Sequence, residues 1–289
     1  MRVSRSVITA RIQQLEEFVG APLFHRTTRS VRLSEIGQAF LRDCAELVGR
    51  TNEVVEQMRE VTASPVGRLR VHALPGFVLG HLAQLLQEFQ TRFPKIVLDI
   101  VVNDAAIDPV KEGFDCALQI FPPRSEELIS RKLFAVRRVF CATPDYLRAE
   151  GQPRTPRELL AHRIGWYSGY PTRERIAFHS AEGVVSLELK PVLLTNSVHL
   201  LREYAMENAG IVCLPTLVAS ASILSGELQI VLPAHQLSSF WLSVFYPSSA
   251  RSSLKLKLFL DLLRKSFSGV PPWDTALIKA GMVSPTVIE

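Results

Sequence analysis

A chain of 289 residues is long enough for two or three modest domains, and its 47% apolar and 21% charged residues are ordinary for a soluble globular protein. The sequence has no run of about 18 uncharged apolar residues and no apolar signal core near the N-terminus, which argues against a membrane span and predicts a cytoplasmic location. The four cysteines, Cys44, Cys116, Cys141 and Cys213, lie far apart and form no CxxC pair, so neither a metal cluster nor a disulfide framework is expected.

Positive charge is concentrated at the N-terminus. Residues 1–33 contain six arginines and two glutamates, whereas the remaining 256 residues contain 27 basic and 26 acidic side chains. A basic segment on a nearly neutral body is typical of nucleic-acid binding. The alternative is an ordinary solvated basic surface.

The first predicted element is an amphipathic helix that Ser4 can cap and that Gly20 can end. Apolar residues follow at spacings of four, three and four, which places them on one helical face: Ile8, Ile12, Leu15 and Val19. The opposite face carries short polar and basic side chains suited to a DNA major groove: Arg5, Ser6, Thr9 and Gln13. Periodicity alone leaves open an ordinary surface helix.

A short basic segment follows the helix. Leu23 and Phe24 on one side, and Leu33 on the other, can anchor it to a core. Between these anchors lie basic and short polar residues typical of a β-wing that contacts phosphates: Arg26, Thr27, Thr28, Arg29 and Arg32.

Residues 4–37 resemble the winged helix-turn-helix of the LysR-type transcriptional regulators. That family's pattern is a serine-capped recognition helix ending in Leu-Glu, then Leu-Gly-x-x-Leu-Phe-x-Arg-x-x-Arg, then Leu-(Thr/Ser)-x-x-Gly. Here Val19-Gly20 stands for Leu-Gly and every other element is present, although Ala10 occupies a position that is often basic.

In that family two further helices precede the recognition helix, so the resemblance implies that about 30 residues are absent here by comparison. We therefore expect phosphate contacts but poor base-specific recognition. A regulator that dimerises and binds effector without binding DNA specifically is the alternative function.

The next predicted element is a long helix that Ser34 can cap. Its apolar or small residues alternate at spacings of four and three, which predicts a heptad seam between two copies: Phe40, Cys44, Leu47, Thr51, Val54, Met58 and Val61. The alternative is a helix that packs on its own domain. The resemblance also implies a homodimer or homotetramer, and residues 64–67 predict a linker.

From Leu69 onward strands and helices alternate, which predicts an α/β layer structure with parallel strands. Strands are predicted at residues 69–73, 97–102, 115–120, 137–142, 187–193, 211–214, 228–232 and 241–246. Helices are predicted at residues 79–93, 198–208 and 252–267, and residues 268–289 predict a loosely attached tail.

This region resembles the effector-binding domain of the same family, which is built like a periplasmic solute-binding protein. The matching stretches are residues 67–71, 112–118, 137–147, 195–197 and 209–215. The resulting fold class is α/β, with a partial winged helix-turn-helix (1–33), a linker helix and hinge (34–67) and a two-lobe effector domain (68–267). Lobe I is expected at about 68–142 and 248–267, and lobe II at about 143–247.

A cleft between two such lobes is the expected effector site, because strand ends and helix N-termini face it. The predicted cleft residues are Gly76, Phe77, Asn103, Gln119, Asn196 and Ser197. Gln119 stands where the family often has Arg, so we expect a weakly anionic or neutral small organic ligand. The alternative for Asn103, Gln119 and Asn196 is hydrogen bonding within loops or turns.

Enzyme activity has no motif to support it: GxSxG, HExxH, P-loop and GxGxxG patterns are missing, and the seven histidines are scattered. His199 lies near the expected cleft, but a lone histidine is more often structural. We therefore expect no catalytic residue, metal or cofactor, and double-stranded DNA and a small organic effector as partners. A pure solute-binding protein is a rival that the basic wing disfavours.

Overall fold

The computed structural model describes residues 5–26, 31–60, 65–123, 125 and 127–288. The chain divides into two compact units, residues 1–63 and 64–289. Every described helix is too short or too polar to cross a lipid bilayer.

The first unit consists of α1 (Arg5–Val19), a hairpin of β1 (Phe24–Arg26) and β2 (Val31–Leu33), and α2 (Glu35–Glu60). Helix α1 ends where predicted, because Gly20 takes a φ of 74° and donates its N–H to the carbonyl of Glu16. This left-handed conformation is easy for glycine and strained for other residues.

One glutamate fixes the turn between α1 and the hairpin. The Glu16 carboxylate accepts hydrogen bonds from the backbone N–H groups of Leu23, at 2.7 Å, and Phe24, at 3.0 Å. Leu23 is buried, and this anchor fixes the direction in which the chain leaves the turn and enters β1.

Ser34 caps α2 as predicted. Its hydroxyl accepts from the N–H of Gly37 at 2.9 Å and donates to the carbonyl of Pro22 at 2.7 Å. A side chain at position 37 would overlap the Leu23 carbonyl, so the glycine lets α2 pack directly on the turn.

The second unit contains two five-stranded sheets and a small three-stranded one. Its strands are β3 (Gly67–Ala73), β4 (Ile96–Val102), β5 (Cys116–Gln119), β6 (Leu128–Val136), β7 (Arg138–Ala142), β8 (Ile164–Tyr167), β9 (Arg175–Ser180), β10 (Gly183–Glu188), β11 (Leu193–Thr195), β12 (Ile211–Pro215), β13 (Gln229–Val231), β14 (Gln236–Leu237) and β15 (Phe240–Pro247).

Helices cover these sheets. They are α3 (Pro75–Phe77), α4 (Ala83–Arg92), α5 (Pro109–Glu112), α6 (Pro144–Glu150), α7 (Val198–Met206), α8 (Thr216–Leu224), α9 (Leu254–Ser266) and α10 (Pro272–Lys279). A kinked segment (Val78–Leu82), with non-helical backbone angles at Leu79 and Gly80, joins α3 to α4. Short 3-10 helices lie at Pro156–Ala161 and Ser248–Ser252.

Lobe I is built on the sheet with strand order β4-β3-β5-β15-β6. The strands β4, β3 and β5 are parallel to one another, and β15 pairs antiparallel with both β5 and β6. Helix α4 buries Leu85 and Phe89 and α9 buries Phe259 and Leu263 against this sheet. One face of each helix therefore builds the lobe I core.

Lobe II is built on the sheet with strand order β11-β8-β12-β7-β13. Two predicted lobe assignments were wrong. The strand Arg138–Ala142 was expected in lobe I but pairs with β12 and β13, and the strand Phe240–Pro247 was expected in lobe II but pairs with β5 and β6. The chain crosses between lobes at Arg137 and again at Ser238–Ser239.

The prediction that residues 268–289 form a loosely attached tail was also wrong. Residues 272–279 form helix α10, and the side chains of Trp273, Asp274 and Leu277 are buried. Trp273 and Leu277 lie four residues apart on one helical face, and the burial of their side chains holds the segment on the domain.

Candidate functional site

The predicted DNA-facing side of α1 is described in part. Thr9 and Gln13 are exposed on this helix. Arg5 and Ser6 belong to its first turn, but their side chains lie outside the described residues. Of the four predicted residues, Thr9 and Gln13 are thus the two that the structure describes as lying at the surface.

The predicted wing is a two-stranded hairpin. Phe24 pairs with Leu33 and His25 pairs with Arg32 in antiparallel register. Arg32 is exposed. The side chain of Arg26 and all of Thr27 and Arg29 lie outside the described residues.

The apolar stripe of α1 is only partly covered. Ile12 and Val19 are half-buried, whereas Ile8 is 48% exposed and Leu15 37% exposed.

The predicted dimer seam follows α2. Phe40 and Cys44 are half-buried, and Leu47 is 65% exposed. The side chains of Val54 and Met58, together with all of Val61, lie outside the described residues. An exposed leucine at the middle of the seam leaves it free to contact a second helix.

An apolar cavity that opens to solvent lies between the two lobes. Its walls include Phe77 after β3, Phe121 after β5, Tyr170 after β8 and Phe240 at the second crossover. Phe240 contacts both Phe121 and Tyr170, with ring centroids 5.1 and 5.7 Å apart. A cavity with several aromatic rings suits a flat, mostly apolar molecule.

Arg138 supplies the cavity with a positive charge that the sequence did not indicate. Its guanidinium lies over the rings of Phe240, at 4.2 Å, and Tyr170, at 4.8 Å, and donates to the carbonyl of Ser238 at 2.9 Å. These contacts hold a flat cation against the aromatic wall.

Asp104 lines the same cavity from the loop after β4. Burial raises the pKa of this carboxyl, and the positive charge of His199 offsets part of the rise. Burial also raises the pKa of Tyr167 to about 12, with a smaller contribution from Asp104. The cavity thus places one acidic and one basic side chain among apolar walls.

Gln119 lines the cavity, but its amide group is already bonded. Its Nε2 donates to the carbonyl of Ile107 at 3.0 Å, and its Oε1 accepts from the N–H of Ile107 at 3.1 Å. Gln119 therefore holds the loop after β4 in place.

Gly76 lies where the lobes approach each other. A Cβ at this position would lie 3.3 to 3.5 Å from side chains of Val218, Leu217 and Val198 in lobe II. The lack of a side chain lets α3 of lobe I approach α7 and α8.

The remaining predicted cleft residues are not among those that line the described cavity. Asn103 accepts from the N–H of Ala105 at 3.0 Å, and Ser197 caps α7 by accepting from the N–H of Leu200 at 3.2 Å. Asn196 is exposed. The alternative of loop or turn hydrogen bonding, considered for Asn103, Gln119 and Asn196, therefore describes Asn103 and Gln119.

Two family sequence models match this chain. The LysR substrate binding domain matches residues 62–268, and the bacterial regulatory helix-turn-helix protein, lysR family, matches residues 1–38. The chain therefore belongs to the LysR family of transcriptional regulators.

Individual relatives agree with this assignment. The chain is 28% identical over 258 residues to the uncharacterized HTH-type transcriptional regulator YhjC of Escherichia coli, covering 89% of this chain and 86% of the relative. It is 28% identical over 269 residues to the HTH-type transcriptional activator AaeR of Escherichia coli, covering 92% and 86%. The solved structure of CrgA from Neisseria meningitidis is 27% identical, with a TM-score of 0.65 over 92% of this chain and 91% of that one.

The protein is thus a DNA-binding transcriptional regulator whose effector-binding domain has two α/β lobes with the effector site between them. Nothing in the comparisons favours the alternative of a regulator without specific DNA binding.

Proposed function

We propose that this regulator responds to a small, largely apolar organic molecule bound in the interlobe cavity. The aromatic wall under Arg138 is the observation that carries the proposal. Of the residues predicted from sequence, Gly76, Phe77 and Gln119 contribute to this cavity, the first two as walls and Gln119 as the anchor of a neighbouring loop.

We propose further that DNA is held by the polar face of α1, with Arg5, Ser6 and Thr9, and by the wing, with Arg26, Thr27, Arg29 and Arg32. The exposure of Thr9 and Arg32 supports this assignment. Residues 1–33 serve as the DNA-binding segment, 34–67 as the dimer helix and hinge, and 68–267 as the sensor. The protein works as a cytoplasmic homodimer, or as a homotetramer, without catalysis.

The cavity is tested by filling it from its rim. Ala106 is exposed and lines the cavity, whereas the neighbouring Ala105 is exposed without lining it. A thermal-shift screen of small metabolites on the full chain should identify a stabilising molecule, because a ligand bound only to the folded state raises Tm. Ala106→Trp should abolish that shift and Ala105→Trp should keep it; equal shifts in both variants would move the site elsewhere.

The wing is tested by the salt dependence of DNA binding. Arg32→Ala should weaken binding to a mixed-sequence duplex and reduce the slope of log K against log salt by about one, since one phosphate contact is lost. Arg175→Ala, which removes an exposed arginine in the sensor, is the matched control. An unchanged slope in the Arg32 variant would contradict the wing assignment.

A further inference from the structure

Residues 268–288 leave lobe I and end on lobe II. The Trp273 ring packs in the lobe I core, with its centroid 4.1 Å from that of His81 and 5.2 Å from that of Phe134. One turn later, Leu277 is fully buried in the lobe II core beside Ile223 of α8. Helix α10 therefore bridges the two lobes.

The same segment binds the first crossover. Arg137 is the single residue between β6 of lobe I and β7 of lobe II. Its guanidinium donates to the carbonyls of Ser284 at 2.6 Å, Pro285 at 2.9 Å and Thr286 at 3.1 Å. Its Nε lies 3.5 Å from the carboxylate of Asp274 in α10, and both side chains are at most 9% exposed.

The segment binds the second crossover as well. The N–H of Ser239, directly before β15, donates to the carbonyl of Ile288 at 2.7 Å. A hinge made of two crossovers opens and closes by changing the backbone angles of a few residues at those crossovers. Here both crossovers are bonded to one additional stretch of chain.

We propose that residues 268–288 are a third connection between the lobes, which holds the hinge at one angle and so sets the shape of the interlobe cavity. Arg137 and Asp274 are positioning residues in this arrangement. Arg137 adjoins Arg138, whose guanidinium forms part of the cavity wall, so a shift at the crossover would move that wall. The matched LysR substrate binding domain spans residues 62–268, so almost all of this connection lies beyond the matched region.

The proposal is tested by measuring the distance between the lobes. Gln90 on α4 of lobe I and Lys190 before β11 of lobe II are exposed and accept spin labels as cysteines. The full chain carries Cys44→Ser, since the other three native cysteines are buried, and labelled protein is diluted in unlabelled chain. The parent should give one narrow distribution of the label-to-label distance in a pulsed electron spin resonance experiment.

Two variants release the hinge. A chain ending at Met282 loses the carbonyls bound by Arg137 and Ser239 but keeps Trp273 and Leu277. The full-length Arg137→Lys variant keeps the positive charge beside Asp274. Its ammonium group lacks the planar set of N–H donors with which the guanidinium binds three carbonyls. Each should broaden the distance distribution about twofold or more.

Lys279→Ala, at an exposed position on α10, is the matched control and should leave the distribution narrow. A folded Met282-terminated chain with the parent's distribution would overturn the proposal. Should that chain fail to fold, an unchanged distribution in Arg137→Lys would overturn it equally.

Discussion

Arg137 and Asp274 form a buried ion pair that joins a crossover between the lobes to the C-terminal helix. Burial raises the pKa of Asp274, and a hydrogen bond from Thr216 and the charge of Arg137 counteract the rise. Each charged side chain has thus lost its contact with water, and neighbouring hydrogen bonds and the opposite charge replace part of that stabilisation. Removing one partner leaves the other unpaired in the interior.

Asp274→Ala should therefore lower the free energy of unfolding of the sensor by about 3–5 kcal/mol. The double variant Arg137→Met with Asp274→Leu should lose less, because no unpaired charge remains. Urea unfolding followed by tryptophan fluorescence measures this, since all three tryptophans lie at positions 166, 241 and 273 in the sensor. A double variant that is less stable than Asp274→Ala would rule out this coupling between the two side chains.

Gln119→Ala should destabilise the sensor by about 1–3 kcal/mol, because it leaves the N–H and carbonyl of Ile107 without partners in a buried place. The same unfolding experiment applies. Gln87→Ala, at an exposed position on α4, serves as the control and should change little. If both variants are equally stable, Gln119 does not anchor the loop.

The pH dependence of sensor stability should report Asp104. The pKa of this carboxyl is raised above its ordinary 3.8, so the folded chain binds more protons than the unfolded chain between the two values. Stability that this group contributes at low pH is consequently lost as the pH rises through the folded pKa. Asp104→Asn should remove that decline in unfolding experiments carried out at pH values above 3.8. The exposed Glu182→Gln control should retain it, and parallel curves for parent and Asp104→Asn would exclude this role.

Charge in the α2 seam should dissociate the proposed homodimer. Leu47→Asp combined with Val54→Asp places two carboxylates between the helices, where each unpaired charge costs several kcal/mol. We expect the dimer dissociation constant to rise by about 100-fold or more in sedimentation experiments. Gln38→Asp, at an exposed position outside the seam, is the control. A double variant that sediments like the parent would place the interface elsewhere.

Local chemistry predicted the first unit well. Gly20 ends α1 through its left-handed conformation, and Ser34 begins α2 through a hydrogen bond to a residue three positions later. Both effects are local, so the sequence shows them. The wing was predicted from polar residues that lie between apolar anchors. In the sensor the same reasoning located β3, β4, β5, β7, β12, β13 and β15. It missed β6, β8, β9 and β14, and its strand at residues 187–193 spans the gap between β10 and β11.

Strand pairing between residues far apart in the sequence could not be predicted in the same way. The strands Arg138–Ala142 and Phe240–Pro247 were assigned to the wrong lobes because the chain changes lobes directly before each, and a local pattern does not show which sheet a strand joins. Helix α8 was missed because it is buried on most sides, which erases the polar face that marks a surface helix. For α10, a usable signal existed in Trp273 and Leu277, spaced by four after a proline pair.

The cavity posed the same difficulty. Arg138 was not predicted as a cavity residue because its contacts, Tyr170 and Phe240, are 32 and 102 positions away along the chain. Gln119 was placed in the cavity correctly, but its bonds to Ile107 depend on how the loop after β4 folds back. A sequence pattern can indicate which residues lie near a cleft. It does not show which of their polar atoms are already hydrogen-bonded to other parts of the fold.

The most direct test of an effector-controlled DNA-binding regulator is the affinity of the full chain for the duplex upstream of its own coding region, measured by fluorescence anisotropy with and without the molecule found in the thermal-shift screen. We expect that molecule to change the apparent Kd about five-fold or more in the parent and in Ala105→Trp, and to have no effect on Ala106→Trp. An apparent Kd that the molecule leaves unchanged in the parent, or changes equally in Ala106→Trp, would contradict control of DNA binding through the interlobe cavity.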